Sequence, residues 1–273
     1  MTAALRVATL LAVLALPTPL EADAWPRGRK AAYIYAGAAK AEASDAFDPE
    51  GKLGPILGRG VRQERLNAYV ELGLSDVATL VVSAPYERVT ARGFFNDFRT
   101  DGAGDLDLRL RLSRVGAGGA LAVEGGAFIP LGYDTLAFPQ LGSGSVEPIV
   151  NLAYGRSVRW LPSGFLSVQV GHRWRGGDLS NELPYSAKLG TFLHERVGTF
   201  VFLRGWESRG DFASIDPAFA FTGADSERSS AGGELYVRVT RTIDMNATWM
   251  RTIGGRNSAA GDEFSVGFAV NLR

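Results

Sequence analysis

Residues 102–114 read GAGDLDLRLRLSR. Asp105, Asp107, Arg109 and Arg111 fall on every second position, with Leu106, Leu108, Leu110 and Leu112 between them. Successive side chains of a strand point to opposite faces, so the leucines share one face and the charges the other. In a soluble sheet such leucines face a core. In a membrane barrel they face lipid, and the charges face a wet lumen.

Working outward from this stretch, strand-like segments of about ten residues recur along the chain. The first covers 30–42. RLNAYVELGL (65–74) sets Leu66, Ala68, Val70, Leu72 and Leu74 against Asn67, Tyr69 and Glu71. TLVVSAPYERV (79–89) carries Leu80, Val82 and Ala84 on its apolar side, and ALAVEGGAFIP (120–130) follows the opening stretch. SVEPIVNLAYGRS (145–157) opposes Val146, Val150, Leu152 and Tyr154 to Glu147, Asn151 and Gly155. FLSVQVGHRWR (165–175) alternates Leu166, Val168 and Val170 with Ser167, Gln169, Arg173 and Arg175. ELPYSAKLGTFL (182–193) continues the pattern; GTFVFLRGW (198–206) is apolar on both faces and leaves its sides open. ELYVRVT (234–240), IDMNATWMRT (243–252) and EFSVGFAVNL (263–272) complete an even count of about twelve strands.

Connections give a second pattern. Long ones are expected at 43–62, 91–103, 131–144 and 207–231, shorter ones at 176–181 and 254–262. Tight turns are expected near 75–77, 114–119, 157–163, 194–197 and 241–242. Alternation of tight and extended connections is what a barrel with short periplasmic turns and longer external loops requires. The segments also exceed the usual soluble strand of roughly 5–6 residues and approach the 9–11 that cross a bilayer. Each strand has one apolar face, and no 3.6-period segment offers a helix to cover it. Closure with that face in lipid satisfies every backbone group and removes the sheet edges. The expected fold is therefore all-β: an antiparallel transmembrane barrel of about twelve strands. A soluble lipocalin-like barrel, with fewer strands and its apolar face inward, is the rival.

Composition agrees with a turn-rich β-protein: 34 Gly, 15 Phe, 8 Tyr, 5 Trp and no Cys in 273 residues. The first 24 residues read as a removable leader, with Arg6, the apolar run VATLLAVLAL and the small-x-small site Ala22-Asp23-Ala24. That predicts a mature barrel of residues 25–273 beginning at Trp25. The leader carries one of the 29 basic residues (Arg6) and two of the 29 acidic ones (Glu21, Asp23), so the remainder stands near +1. Such a balance gives no general attraction to nucleic acid. The expected partners are outer-membrane lipid and lipopolysaccharide, the barrel-insertion machinery and a small-molecule solute.

Enzymatic chemistry finds little support. The only histidines are His172 and His194, too few and too distant for a metal site, and no cysteine exists as nucleophile or ligand. His172 falls on the lipid-facing alternation, where a membrane lipid hydrolase would need a Ser–His pair; Ser167 is inward by parity. A ring beside Trp174 at the membrane interface is the plainer reading of His172. Gly116, Gly118 and Gly119 sit in a turn, without a dinucleotide fingerprint or phosphate-loop lysine. No cofactor is expected.

What remains is the lumen. Parity points Glu71, Asp105, Asp107, Arg109, Arg111, Glu124, Glu147, Arg173, Arg175, Glu182, Lys188, Glu234 and Arg238 inward. Charges at membrane depth are costly unless paired or wet, so these residues form either a packed plug or the walls of a narrow channel. Arg173 and Arg175 with Glu182 are the first candidates for a constriction. The loops 43–62 and 207–231 are candidate external gates, the latter with a net charge of −3.

GAGDLDLRLRL also resembles the Gly-x-Gly-Asp strand of the outer-membrane proteins grouped as the meta-pathway of phenol degradation family. AWPRGRKAAYIY, LNAYVELGLSD, GGAFIPLGYD, LGSGSVEPIVNLAYGRS and VGHRWRGG followed by NELPYS resemble further landmarks in similar order, over most of 25–195. The resemblance implies a barrel of about twelve strands that passes small compounds, aromatic or hydrophobic ones among them. One departure is the ending Asn271-Leu272-Arg273, where many such barrels end on an aromatic residue; Phe264 and Phe268 continue the outward face. The function expected from the sequence is passive entry of a small solute at the bacterial outer membrane. A non-conducting structural barrel and a lipid hydrolase are the alternatives.

Overall fold

A computed structural model describes residues 24–56, 58–176, 179–208 and 225–272. Residues 1–23 of the expected leader lie outside the described residues; its last residue, Ala24, is described. The first strands are β1 (Ala32–Phe47), β2 (Leu53–Pro55), β3 (Gly60–Gly73), β4 (Ala78–Arg92) and β5 (Asp97–Ala103). β6 (Asp105–Gly116), β7 (Gly119–Pro130), β8 (Glu147–Val158) and β9 (Gly164–Arg173) follow. The last are β10 (Glu182–His194), β11 (Val197–Ser208), β12 (Glu227–Arg238), β13 (Ile243–Arg256) and β14 (Ser258–Leu272). Twelve of these run antiparallel in sequence order, and β14 pairs with β1 to close the sheet; β2 and β5 are short additions to β1 and β4. Closure leaves no wall strand with an unpaired edge.

The opening stretch becomes β6, and its two faces separate cleanly. Leu110 is 42% exposed on the outside while its neighbour Arg111 is 2% exposed inside. Leu66, Leu72, Leu121, Val150, Leu152, Val170, Val266 and Phe268 are likewise exposed on the outer face. Glu71, Glu124, Glu147 and Asn151 are buried within. A soluble barrel has the opposite arrangement, so the outward apolar belt makes this a transmembrane barrel.

Tight turns join the strands on the rim that holds Ala32 and Leu272. Ser75 Oγ, for example, accepts hydrogen bonds from the Val77 and Ala78 N–H groups at 3.3 and 3.0 Å. Gly119 opens β7 at φ +133°, a conformation that favours glycine.

The opposite rim corrects several expected connections. Residues 43–62 are mostly strand, because β1 runs on to Phe47 past a bulge between Ala43 and Asp45 and β3 already starts at Gly60. The stretch 91–103 contains the end of β4 and all of β5. The connection expected at 254–262 is a turn at Asn257 (φ +46°) between β13 and β14. The shared cause is that these strand ends are built largely of small and polar residues, such as Ser44, Asp45, Gly254, Gly255, Ser258 and Gly261, so no hydrophobic alternation marks them. Of 207–231, the ends belong to β11 and β12, and 209–224 lie outside the described residues. β9 stops at Arg173, so Arg175 sits in the following connection.

Candidate functional site in the barrel lumen

The charges of β6 are built into a chain of ion pairs across the lower interior. Arg109 grips Asp107 with two nitrogens, Nε to Oδ1 at 2.7 Å and Nη2 to Oδ2 at 2.6 Å, and its Nη1 reaches Glu124 Oε2 at 3.4 Å. Arg111 Nε donates to Glu124 Oε1 at 2.5 Å and its Nη1 to Glu71 Oε1 at 2.9 Å. Register explains the reach: Arg111 lies opposite Glu124 on β7, while β4 offers Thr79 and Val81 between β6 and Glu71 on β3. Tyr69 OH donates to the same Glu71 oxygen at 2.7 Å. Bidentate, charge-assisted pairs of this kind fix geometry as well as neutralising charge.

A second cluster stands nearer the long-loop rim. Arg173 contacts Glu147 and lies 3.3 Å from Glu182, and Arg175 lies 2.8 Å from Glu182 and 3.5 Å from Glu147. The structure thus brings Arg173, Arg175 and Glu182 together, with Glu147 as a fourth, fully buried member. Asp105 stands apart from these ion pairs and accepts a 2.6 Å hydrogen bond from Tyr133 OH, from the connection after β7. Burial, and then that bond to Asp105, hold the Tyr133 hydroxyl above its ordinary pKa. Lys188 and Glu234 flank Phe200, with Lys188 Nζ 5.9 Å from the ring and Glu234 registered opposite it. Arg238 does not join the others; its Nε lies 3.6 Å from Asp244.

Below the charges, the lumen is filled by rings and by the segment that precedes β1. Tyr33, Phe165, Phe192, Phe200 and Tyr236 form a buried cluster, with Trp25, Tyr35 and Tyr69 packed against it. Phe200 sits edge-on to Phe192 and Tyr236 at centroid distances of 5.9 and 6.3 Å. Ala24 is fully buried against Ala120, Ala122 and Ala153, whose small side chains leave a notch in the inner wall of β7 and β8. The Trp25 ring lies against Gly155, in the space that a side chain there would occupy. Arg27 contacts Glu71, its N–H donates to Thr79 Oγ1 at 3.0 Å, and its guanidinium covers the Tyr33 ring at 4.6 Å. Above this floor opens a cavity of about 910 Å³, bordered by both charge clusters and by Phe128, Leu141 and Phe202.

The sequence reading missed the floor altogether and also passed over Arg65, Glu87 and Glu263, which line the cavity. Parity would have found those three, since each shares its strand's inward positions. Arg204 and Phe202 were hidden by the two-sided apolarity of 198–206: Phe200 and Phe202 belong to the interior, while Val201 and Leu203 form the outer face. His172 and Ser167 lie five positions apart on one strand and so face opposite sides, Ser167 buried and His172 stacked edgewise on Trp174 at 4.5 Å. His172→Ala is therefore expected to change stability by less than about 0.5 kcal/mol, as an outer-surface substitution does. A midpoint shift in urea unfolding of the refolded barrel checks this.

The fold is similar to that of a COG4313 outer membrane channel from Pseudomonas putida F1, with a TM-score of 0.71 and 15% identity over 92% of this chain and 98% of that one. It is also similar to the translocator domain of the autotransporter NalP from Neisseria meningitidis, with a TM-score of 0.54 and 13% identity over 90% of each chain. The NanC porin aligns at a TM-score of 0.52 and 8% identity, over 88% of this chain and all of that one. No protein-family model and no curated protein matches the sequence. At these identities the likeness establishes the fold.

Proposed function

We propose that the chain is an outer-membrane channel for small solutes, aromatic or hydrophobic ones among them, whose periplasmic end is closed by its own N-terminal segment. The observation that carries this reading is the cavity of about 910 Å³ lying above a floor made of a non-strand segment. A barrel built only for rigidity has no need of such a chamber, and a floor that belongs to no strand can leave without breaking the wall. The channel and porin named among similar folds support the reading, as does the family resemblance of the Gly-x-Gly-Asp strand. Solute enters from the long-loop rim, and the Arg173–Arg175–Glu147–Glu182 cluster flanks its route. The outward apolar belt supports an outer-membrane setting; contact with lipid and lipopolysaccharide and delivery by the insertion machinery belong to the same proposal.

The alternative with a specific observation behind it is a non-conducting barrel, because the aromatic cluster and the ion-pair chain fill the lower lumen. Planar-bilayer recording of the refolded full chain discriminates the two. Discrete conductance steps are expected from protein that changes gel mobility on boiling; folded protein that gives none supports the structural barrel. A lipid hydrolase is disfavoured by the opposite facing of Ser167 and His172.

A further inference from the structure

One wall of the chamber carries more positive charge than its carboxylates neutralise. Arg204 registers opposite Ser230, and Arg228 opposite Trp206, so the two arginines are diagonal neighbours on the inner face of β11 and β12. Like charges so placed repel unless an anion lies between them. Arg65 approaches from β3, 3.1 Å from Glu263 and 3.9 Å from Glu87. The same Glu263 stands 3.6 Å from Arg204. Three guanidiniums thus share two carboxylates, and Arg228 touches neither. Its Nε donates to Ser230 Oγ and Thr252 Oγ1, both at 3.1 Å, and its terminal nitrogens meet no acceptor among the described residues. Arg204 Nε faces only the Met250 sulfur at 3.1 Å, a weak acceptor.

The opposite wall shows what a satisfied arginine looks like here. Arg109, Arg111, Arg173 and Arg175 each end on a carboxylate within 3.5 Å. Charges in a narrow lumen carry a desolvation cost that pairing offsets. Arg228 lacks that compensation among the described residues, and Arg204 has only the Glu263 oxygen it shares with Arg65, although both arginines line the open cavity. Apolar surface lies beside them. The Phe202 ring is 5.6 Å from the Arg204 guanidinium, and Trp206 spends its one donor, Nε1, on Ser226 O at 2.9 Å, leaving its ring as the remaining contact.

We propose that Arg204 and Arg228 form an anion subsite for small organic monocarboxylates, with the carboxylate on the two guanidiniums and an aromatic or aliphatic body against Phe202 and Trp206. A single negative charge matches the surplus of one cation on this wall. The planar fork of a guanidinium suits a carboxylate, which it holds through two parallel hydrogen bonds. The inference rests on reading the lumen as a solute path and names the class of solute that path selects.

Isothermal titration on the full chain in lipid nanodiscs tests it, with 3-phenylpropionate, 3-phenylpropanol and inorganic phosphate as probes. Phenylpropionate is expected to bind one per barrel, at least about tenfold more tightly than the alcohol or phosphate, since a charge-assisted pair is lost with either. Arg228→Gln and, separately, the half-exposed Arg204→Gln are expected to weaken phenylpropionate by about tenfold and leave the alcohol unchanged. Arg228→Lys should recover part of the loss. Equal binding of acid and alcohol, tighter binding of phosphate, or no loss in either glutamine variant overturns the proposal. Should Arg228→Gln not refold, Arg204→Gln carries the same expectation. Binding without conductance sinks the channel reading and keeps the subsite; conductance without binding does the reverse.

Discussion

Replacing Glu71 by glutamine is expected to destabilise the barrel by about 3–5 kcal/mol, the cost of breaking a buried ion pair from one side. Glu71 is fully buried and faces Arg27 and Arg111, with the Tyr69 hydroxyl completing its shell. Glutamine keeps the volume, so no cavity confuses the result, but it leaves Arg27 without a carboxylate among the described residues. Arg111 retains Glu124. The measurement is the midpoint of urea-induced unfolding of the refolded barrel, with an unchanged slope. Removing both ends of the pair, Glu71→Gln with Arg27→Gln, should recover part of the loss, because two neutral partners desolvate at lower cost than one stranded cation. A single-variant change below about 1 kcal/mol would show that water reaches this site and that the buried-pair penalty does not apply.

The second large effect concerns the floor. Gly155→Leu is expected to expel Trp25 and raise the unitary conductance above that of the unaltered chain. The new side chain would claim the space the indole ring now fills. β8 is held by pairing to β7 and β9, whereas Trp25 belongs to no strand, so the segment yields and the wall stays. Deleting residues 25–28 should give the same conductance without the substitution. Overpacking that the segment did not relieve would instead cost about 1–3 kcal/mol of stability with no gain in current. That outcome, or a deletion that conducts no better than the intact chain, would assign the closure to the aromatic cluster around Phe200.

Arg111 and Leu110 illustrate why so much of the fold was legible. A period of two is local, so adjacent residues declare their faces wherever one side meets lipid and the other meets polar groups. The same logic failed wherever the two faces of a strand did not differ in polarity. At 198–206 the interior is itself aromatic, so both faces read alike. At 43–47 and 254–262 the strands are made largely of small and polar residues, so neither face reads as apolar and strands read as loops. Arg65, Glu87 and Glu263 were within reach of parity and were overlooked; Ala120, Ala122 and Ala153 carried no signal that their small size makes room for the segment at Trp25.

By itself, then, the order of residues determined the antiparallel wall, its even count of long strands, and the direction in which Glu71, Asp107, Arg109, Arg111 and Glu124 point. These follow from backbone geometry acting between near neighbours. Only the tertiary structure decided which charge meets which and where the lumen is shut. Arg27 meets Glu71 across 44 positions, and Arg65 meets Glu263 across 198. Such partners are set by closure of β14 onto β1 and by the return of the N-terminal segment into the barrel. Both are long-range events that no local period encodes.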